Sequence, residues 1–201
     1  MSAGNPFAED AEDTQTAIMR ATFDALVEYG YAGLTIDRID EFFPKSKSLL
    51  YHHYDGKDEL LLDFLSRMID NREATIDHEP SDDARERLDR WLDAAAAPEL
   101  AEEDLGFIRG LVELRAQAAH DERYREQFTR SDRLFRGWLA DIIAEGIEDG
   151  VFRDVDPEQV ATTIHMLAGG IMAERVTNDD PRVEDVRAEL DAYVEARLLA
   201  D

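Results

Sequence analysis

Apolar residues recur at intervals of three and four along most of this chain, which is the spacing of an amphipathic α-helix. The first helix is predicted to begin after Asp13 or Thr14, either of which can cap it, and to end at Gly30. Residues 1–13 are predicted to form a disordered acidic leader. The apolar face of the first helix consists of Ile18, Met19, Thr22, Leu26 and Tyr29.

A short second helix is predicted over residues 36–43, because Thr35 is a suitable N-cap and the apolar positions share one face. Pro44 ends it, since the residue before a proline is displaced from helical backbone angles. Ser46 is the predicted N-cap of a third helix over residues 47–53. Leu50 and Tyr54 are predicted to face the core.

The third helix therefore has one polar face, predicted to carry Lys47, Ser48, Tyr51 and His52. A helix, a tight turn and a second, exposed helix in this order are typical of the helix-turn-helix motif. In that motif the exposed helix enters the major groove of DNA.

The periodicity continues to the end of the chain and predicts six further helices. One is capped by Asp55 and carries apolar residues to Ile69, and the others cover residues 81–97, 99–119, 122–148, 157–176 and 180–199. Ser81 and the pair Asp180-Pro181 are the predicted start signals of the first and last of these five. The predicted fold is all-α, with about nine helices. It has a three-helix helix-turn-helix domain over residues 14–57 and a helical bundle for ligand binding and dimerisation over residues 58–201.

Composition limits the functions that this fold can have. The chain has no cysteine, so disulfides and zinc–cysteine sites are excluded. No apolar run approaches the roughly 20 residues that span a membrane, and the N-terminus lacks the features of a signal peptide. We predict a soluble cytoplasmic protein with no membrane partner, no metal and no cofactor.

Catalytic motifs are lacking as well. The sequence contains no nucleophile elbow, no glycine-rich phosphate loop and no His-x-x-x-His, and the adjacent His52 and His53 point apart on a helix. Carboxylates are so frequent that a pair of them carries no signal. The sequence predicts a protein that is not an enzyme.

The distribution of basic residues favours a nucleic-acid partner. Asp and Glu number 47 against 22 Lys and Arg, yet residues 42–54 contain no carboxylate. Lys45, Lys47 and Lys57 are the only lysines in the chain, and they lie in or beside this segment. Lysine, serine, histidine and tyrosine together suit a surface that contacts phosphates and base edges.

Residues 18–61 resemble the DNA-binding domain of the tetracycline-repressor (TetR) family. The spacing is kept without insertion from Gly30 to Leu60. The sequence departs from the family pattern at Asp40, Phe42, Phe43, Pro44 and Lys45, positions that set the contact between the second and third helices. The matching residues are Ile18-Met19, Ala21, Leu26, Glu28, Gly30-Tyr31, Leu34-Thr35-Ile36, Ile39, Ser46-Lys47, Leu50 to Tyr54 and Lys57 to Leu60.

The resemblance implies a role for each residue of the candidate DNA-binding surface. Thr35 and Arg38 would touch the backbone, Lys47, Ser48 and Leu49 would face the groove, and Tyr51 and His52 would hold phosphate or sugar. Lys57, at the start of the fourth helix, would bind a DNA phosphate. Lys45 and Ser46 complete the predicted surface.

The net charge of −25 normally argues against DNA binding. An acidic excess in which arginine is strongly preferred to lysine, however, resembles the composition of proteins from salt-accumulating haloarchaea. At molar salt the Debye length is about 3 Å, so the acidic surface would hardly repel DNA. The same screening weakens the gain from counterion release, which leaves more of the binding to base edges and shape.

The resemblance also implies a homodimer formed by the last two helices, which suits a two-fold operator. The helix over residues 157–176 is apolar nearly all round, and it could equally be the centre of a monomeric bundle. The predicted interface residues are Val160, Ile164, Leu167, Ala168, Ile171, Val186, Leu190, Tyr193 and Val194.

The family's usual trigger is a small effector, here predicted to be apolar or amphipathic. Residues of these types belong more often to an ordinary core or surface than to a ligand site, and Arg109 and Glu113 could pair along one helix. The candidates are Phe64, Met68, Trp91, Phe107, Arg109, Glu113, Trp138, His165 and Met166.

We therefore predict a sequence-specific DNA-binding regulator, a homodimeric repressor released by an effector. One alternative is a DNA-binding regulator or architectural protein that a protein partner controls. A second alternative is a helical ligand-binding protein whose helix-turn-helix has lost DNA binding.

Overall fold

A computed structural model describes residues 6–7, 13–76 and 83–199. Within these ranges the protein consists of nine α-helices and no β-strand, with one isolated bridge between Phe152 and Leu199. The predicted all-α fold is confirmed. The helices are α1 (Thr14–Gly33), α2 (Ile36–Asp40), α3 (Lys47–His53), α4 (Lys57–Ile76), α5 (Ala84–Ala95), α6 (Glu102–Gln117), α7 (Glu122–Glu148), α8 (Pro157–Thr177) and α9 (Val183–Arg197).

Packing divides these helices into two compact units. The first contains α1 to α4, α6 and the part of α7 up to Arg130, and the second contains α5, the rest of α7, α8 and α9. By packing, α4 and α6 therefore belong with the helix-turn-helix. The functional boundary between residues 57 and 58 stays a prediction.

The first unit has its core between α1, α4 and α6. Phe23, Leu26 and Phe64 are fully buried there. Two glycines let α6 approach α1 closely: a Cβ at Gly106 would lie 2.7 Å from the Val27 carbonyl oxygen, and one at Gly110 would lie 2.6 Å from Leu26 Cγ. Larger residues at either position would push the two helices apart.

The second unit packs α5, α8, α9 and the C-terminal part of α7 around an aliphatic core. Leu88, Leu139, Ile142 and Ile164 are among its fully buried side chains. Asp156 caps α8 by accepting a hydrogen bond from the Gln159 backbone N–H at 3.1 Å, as the sequence predicts.

The first helix is interrupted rather than ended at Gly30. Gly30 has φ 61° and ψ 175°, a backbone conformation that essentially only glycine adopts, and the chain then makes one more helical turn to Gly33. The predicted end of α1 is therefore three residues too early. Tyr31, in the added turn, is half-buried against the first core.

The other helix ends differ from prediction where turn chemistry decides them. α2 ends at Asp40 instead of residue 43, because the Phe42 and Phe43 N–H groups bond to Ile39 and Asp40 in tighter turns. α6 begins at Glu102 rather than residue 99 and ends at Gln117 rather than residue 119.

Two helices begin after residues other than the predicted start signals. The N-cap of α5 is Asp83, whose side chain accepts from the Glu86 N–H at 2.9 Å, and the predicted cap Ser81 lies outside the described residues. α9 begins after Arg182, which has φ 47°, and not at Asp180-Pro181.

One residue of the predicted leader is packed. The Phe7 side chain is 6% exposed, and its ring centroid lies 5.6 Å from that of Phe64. The rest of that prediction falls outside the described residues, apart from Pro6 and Asp13. Among the described helices none is both long and apolar enough to span a bilayer.

Candidate DNA-binding surface

The surface is built on α2, the following turn and α3. Thr35 caps α2, accepting a hydrogen bond from the Arg38 N–H at 3.2 Å, and Ile36 and Ile39 anchor the helix in the core. In the turn, Phe43 is buried while Phe42 is exposed and packs edge-on against Tyr29, with ring centroids 6.2 Å apart. The departures from the family pattern thus place one aromatic in the core and one on the surface.

The helix α3 presents one face to the core and the other to solvent. Leu50 is fully buried and Tyr54 is 6% exposed, as predicted. Leu49 is half-buried against the same core. The side chains at least partly on the solvent side are Ser46, Lys47, Ser48, Tyr51, His52 and His53.

Two serines sit at the N-terminus of α3. Ser46 is the N-cap residue by backbone angles, but its side chain makes no capping hydrogen bond to the helix. Its Oγ lies 2.8 Å from Ser48 Oγ instead. Two hydroxyls and the first N–H groups of the helix therefore lie together at the end predicted to face DNA.

A carboxylate on α2 contacts two of the predicted DNA-binding side chains. Asp37 Oδ1 lies 2.7 Å from Lys47 Nζ and accepts a hydrogen bond from Tyr51 Oη at 3.4 Å. Lys47 Nζ is also 5.9 Å from the centroid of the Tyr51 ring. The hydrogen bond from Lys47 lowers the pKa of Asp37, and the same bond raises the pKa of Lys47.

The other predicted cations are directed toward protein groups. Lys45 Nζ donates to Thr14 Oγ1 at 3.0 Å, and Lys57 Nζ donates to the Tyr31 carbonyl at 3.2 Å. Arg38 donates to the Gly33 carbonyl, and its guanidinium lies 4.5 Å from the centroid of the Tyr29 ring. The structure therefore brings together two pairs on the exposed side of α3, Ser46 with Ser48 and Lys47 with Tyr51, whereas Lys45 and Lys57 contact other groups.

A second carboxylate, Asp63 on α4, fixes the C-terminal end of the recognition helix. Tyr54 Oη donates to Asp63 Oδ2 at 2.5 Å, and Arg67 and Gln15 donate to the same carboxylate. Burial, followed by the hydrogen bond to Asp63, raises the pKa of Tyr54. This network joins α1, α3 and α4, so the orientation of α3 depends on it.

Glu113, a predicted ligand residue, has a structural role. Its Oε2 accepts hydrogen bonds from the backbone N–H groups of Tyr31 and Ala32, at 2.5 and 3.3 Å. These donors follow the interruption at Gly30, so Glu113 serves as the cap for the last turn of α1. The capping role explains the position of the Glu113 carboxylate without the predicted pairing with Arg109. The Arg109 side chain is exposed.

The remaining ligand candidates are distributed over both units. Phe64, Met68 and Phe107 belong to the first core, whereas Trp91 and Trp138 belong to the second. The Met166 side chain is 70% exposed, so it lies on the surface of this chain and not in its core. His165 Nε2 lies 3.2 Å from Asp132 Oδ1, beside Phe135.

Five of the predicted dimer contacts are part of the second unit's own core. Their side chains are at most 4% exposed, so this fold leaves them no surface to offer a second chain. These five are Val160, Ile164, Ile171, Leu190 and Val194, and the predicted dimer interface stays a prediction. The helix α8 is also not covered all round in this chain, since Leu167 is 40% exposed.

The prediction missed Asp37, Asp63 and the role of Glu113. Glu113 bonds to Tyr31 across 82 residues, and Asp63 accepts from Gln15 across 48, separations that no local pattern records. Asp37 had a signal, because it is an exposed carboxylate between Thr35 and Arg38, both assigned to the DNA surface.

The fold and the exposed α3 define a helix-turn-helix DNA-binding protein. The family model "Bacterial regulatory proteins, tetR family" matches residues 18–64, and the model "BetI-type transcriptional repressor, C-terminal" matches residues 84–199. The second match covers more than half of the chain. The protein belongs to the TetR family of DNA-binding transcriptional regulators, a family of regulators and not of enzymes.

Individual relatives agree with this assignment. The chain is 31% identical over 151 residues to the HTH-type transcriptional repressor SCO4008 of Streptomyces coelicolor, covering 75% of this chain and 73% of that protein. A TetR transcription regulator from Haloarcula marismortui has the same fold, with a TM-score of 0.81, 34% identity and coverage of 92% and 98%. A transcriptional regulator from Saccharomonospora viridis, solved in complex with choline, matches with a TM-score of 0.73, 22% identity and coverage of 93% and 98%.

Proposed function

We propose that this protein is a homodimeric repressor that binds its operator through α3 of each copy and is released by a small apolar or amphipathic effector. The observation that carries the proposal is the two-sided α3. Leu50 fixes the helix in the core while Lys47, Ser48 and Tyr51 lie on the opposite side. That arrangement is what insertion into a major groove requires.

In this proposal the hydroxyls and the ammonium at the start of α3 contact the operator. Lys47 and Ser48 face the groove, where the Lys47 ammonium also reaches a phosphate at the groove edge, and Tyr51 and His52 hold phosphate or sugar. Thr35 and Arg38 approach the backbone from α2. Lys45 and Lys57 can contact DNA only if they break their hydrogen bonds to Thr14 and to the Tyr31 carbonyl. We therefore expect them to contribute less to DNA affinity.

The outward face of α8 supports the dimer. Met166 is 70% exposed and Leu167 is 40% exposed, on a helix whose other side lies in the core. A Cβ added at Gly169 or Gly170 would have no atom within 4 Å, so another backbone has room to approach. A second copy would cover these residues together with Ala168, Val186 and Tyr193, and two-fold symmetry would match a two-fold operator.

The effector is the less direct part of the proposal. The BetI-type match over residues 84–199 supports it, as does the half-buried His165–Asp132 pair beside Phe135, which suits a ligand with one polar end. The effector would favour a spacing of the two recognition helices that cannot span successive major grooves.

The test is a titration of the purified protein against the DNA upstream of its own reading frame, in molar potassium chloride. Specific binding with one dimer per site is expected. Candidate effectors, with choline among them because the Saccharomonospora regulator binds it, are then added to the complex. Release by at least one that also binds the free protein supports the repressor mechanism, and indifference to every effector that binds would exclude it.

A further inference from the structure

The contact between Asp37 and α3 places an anion where DNA phosphate is expected. Asp37 Oδ1 lies 2.7 Å from Lys47 Nζ and 3.4 Å from Tyr51 Oη, so both side chains share one carboxylate oxygen. The pair is at the surface, with the Asp37 side chain 70% exposed and the Lys47 side chain 42% exposed. Asp40, on the same short helix, adds negative charge near Lys47.

A carboxylate and a phosphate use the same donors. Both are oxyanions that accept charge-assisted hydrogen bonds from an ammonium and a hydroxyl. Lys47 can donate three hydrogen bonds, but its single charge is already neutralised by Asp37. A phosphate that binds Lys47 and Tyr51 must therefore displace Asp37 or lie next to its negative charge.

We propose that Asp37 is a built-in competitor of the DNA backbone, which occupies Lys47 and Tyr51 in the free protein and is displaced by an operator phosphate. This rests on the proposed function of α3 in DNA binding. Asp37 is here a specificity-determining residue: it weakens attachment to any phosphate and leaves discrimination to the base-edge contacts. Nonspecific binding, which depends most on charge, is reduced most.

The proposal predicts a specific change in how the DNA dissociation constant depends on salt concentration. A cation that neutralises a DNA phosphate releases about 0.9 of a counterion, which makes log Kd depend on log salt. The displaced Asp37 regains a counterion, so Lys47 should contribute little net release in the wild type. Without Asp37 the slope should steepen by about 0.9 for each subunit, or roughly two for a dimer.

The opposite role is also physically reasonable and gives the opposite result. If Asp37 only holds Lys47 and Tyr51 in the orientation that DNA requires, its removal should weaken binding. The slope would then stay the same or become shallower. The sign of the change therefore separates competition from positioning.

The experiment compares wild type, Asp37→Asn, Asp37→Glu and Glu126→Gln on an operator fragment and on an unrelated duplex, from 0.5 to 2 M potassium chloride. Glu126→Gln removes an exposed carboxylate from α7 in the same unit and controls for net charge. Thermal unfolding of each variant confirms the fold. For Asp37→Asn we expect tighter binding than wild type at 0.5 M. The ratio of the two affinities should shrink roughly tenfold by 2 M. This ratio should be larger on the unrelated duplex than on the operator. Asp37→Glu should keep the wild-type slope.

A heparin column provides a second arm that does not require an operator. Asp37→Asn should elute at higher salt than wild type and Glu126→Gln. Should wild type bind no duplex specifically, the proposed function fails, and heparin retention alone then decides the role of Asp37. Equal salt slopes and equal retention for Asp37→Asn and Glu126→Gln, or weaker binding by Asp37→Asn, would overturn the inference.

Discussion

The Glu113 carboxylate on α6 accepts a hydrogen bond of 2.5 Å from the backbone N–H of Tyr31 in α1, 82 residues away in sequence. It also accepts one from Ala32. The break at Gly30 removes the helical partners of these N–H groups, and Glu113 replaces them. The last turn of α1, which leads directly into the helix-turn-helix, is thereby attached to α6.

Replacing Glu113 by alanine should destabilise the first unit by about 1–3 kcal/mol, because the partly buried Tyr31 N–H and the exposed Ala32 N–H lose a charged acceptor. Chemical unfolding followed by circular dichroism measures the change. Glu103→Ala, which removes an exposed carboxylate from the same helix, is the control and should change stability by less than about 0.5 kcal/mol. Equal effects of the two substitutions would contradict the capping role.

Gly30→Ala should be destabilising by about 1–3 kcal/mol, since alanine is strained at φ 61° with ψ 175°. Its Cβ would also lie 2.8 Å from Glu113 Oε2 and disturb the cap. Gly56→Ala is the matched control, because a Cβ there meets no atom within 4 Å. If Gly30→Ala melts at a temperature no lower than Gly56→Ala, the backbone conformation at residue 30 does not require glycine.

Alkaline pH should destabilise the protein through two buried tyrosines. Burial raises the pKa of Tyr54 and Tyr124, with a further rise from Asp63 and Asp58 respectively. The fold thus favours the neutral phenols, and this stability is fully present below the unfolded tyrosine pKa of about 10 and is lost as pH rises above it.

Melting temperatures between pH 8 and 11 test this linkage. The wild type should lose stability above about pH 10, and the double variant Tyr54→Phe, Tyr124→Phe should lose less over the same interval. Tyr54→Phe should also be less stable near neutral pH, because Asp63 loses a hydrogen bond. An identical pH profile for wild type and double variant would contradict the assignment.

Met166→Glu should weaken the proposed dimer. A charge at this 70% exposed position would meet its own copy or an apolar surface in the partner, and symmetry applies the penalty twice. A cost above about 1 kcal/mol in each subunit raises the dimer dissociation constant more than about thirtyfold.

Analytical ultracentrifugation across a dilution series measures this constant. Ala116→Glu, on an exposed position of α6, adds the same charge in the other unit. It should leave the constant near that of wild type. A dimer equally stable in both variants would move the interface away from the outward face of α8.

Hydrophobic periodicity and local start signals predicted much of the fold. The observed α7 begins and ends where the sequence predicts, because a long apolar stripe is followed directly by Asp149-Gly150. The start of α9 was predicted wrongly, because Asp180-Pro181 is a capping signal that the chain passes before helical backbone begins after Arg182.

The candidate site was less predictable because its contacts depend on angles between helices. Lys47 and Tyr51 were identified from composition and spacing, but their shared partner Asp37 lies on another helix. Glu113 was predicted to be one of the residues that line a ligand site. Its true partners exist only because Gly30 interrupts α1, and the sequence marks that position as a helix end.

The central claim is that the outward side of α3 binds an operator, and a titration of recognition-helix variants tests it most directly. Wild type, Lys47→Ala, Tyr51→Ala and Arg197→Ala are titrated against the upstream fragment in molar potassium chloride. Arg197→Ala removes an exposed cation from α9 and controls for charge. We predict that Lys47→Ala weakens specific binding at least about thirtyfold, because each of the two copies loses a contact. Tyr51→Ala should also weaken specific binding, and Arg197→Ala should not. Specific binding that survives both α3 substitutions, with the fold intact, would contradict the account.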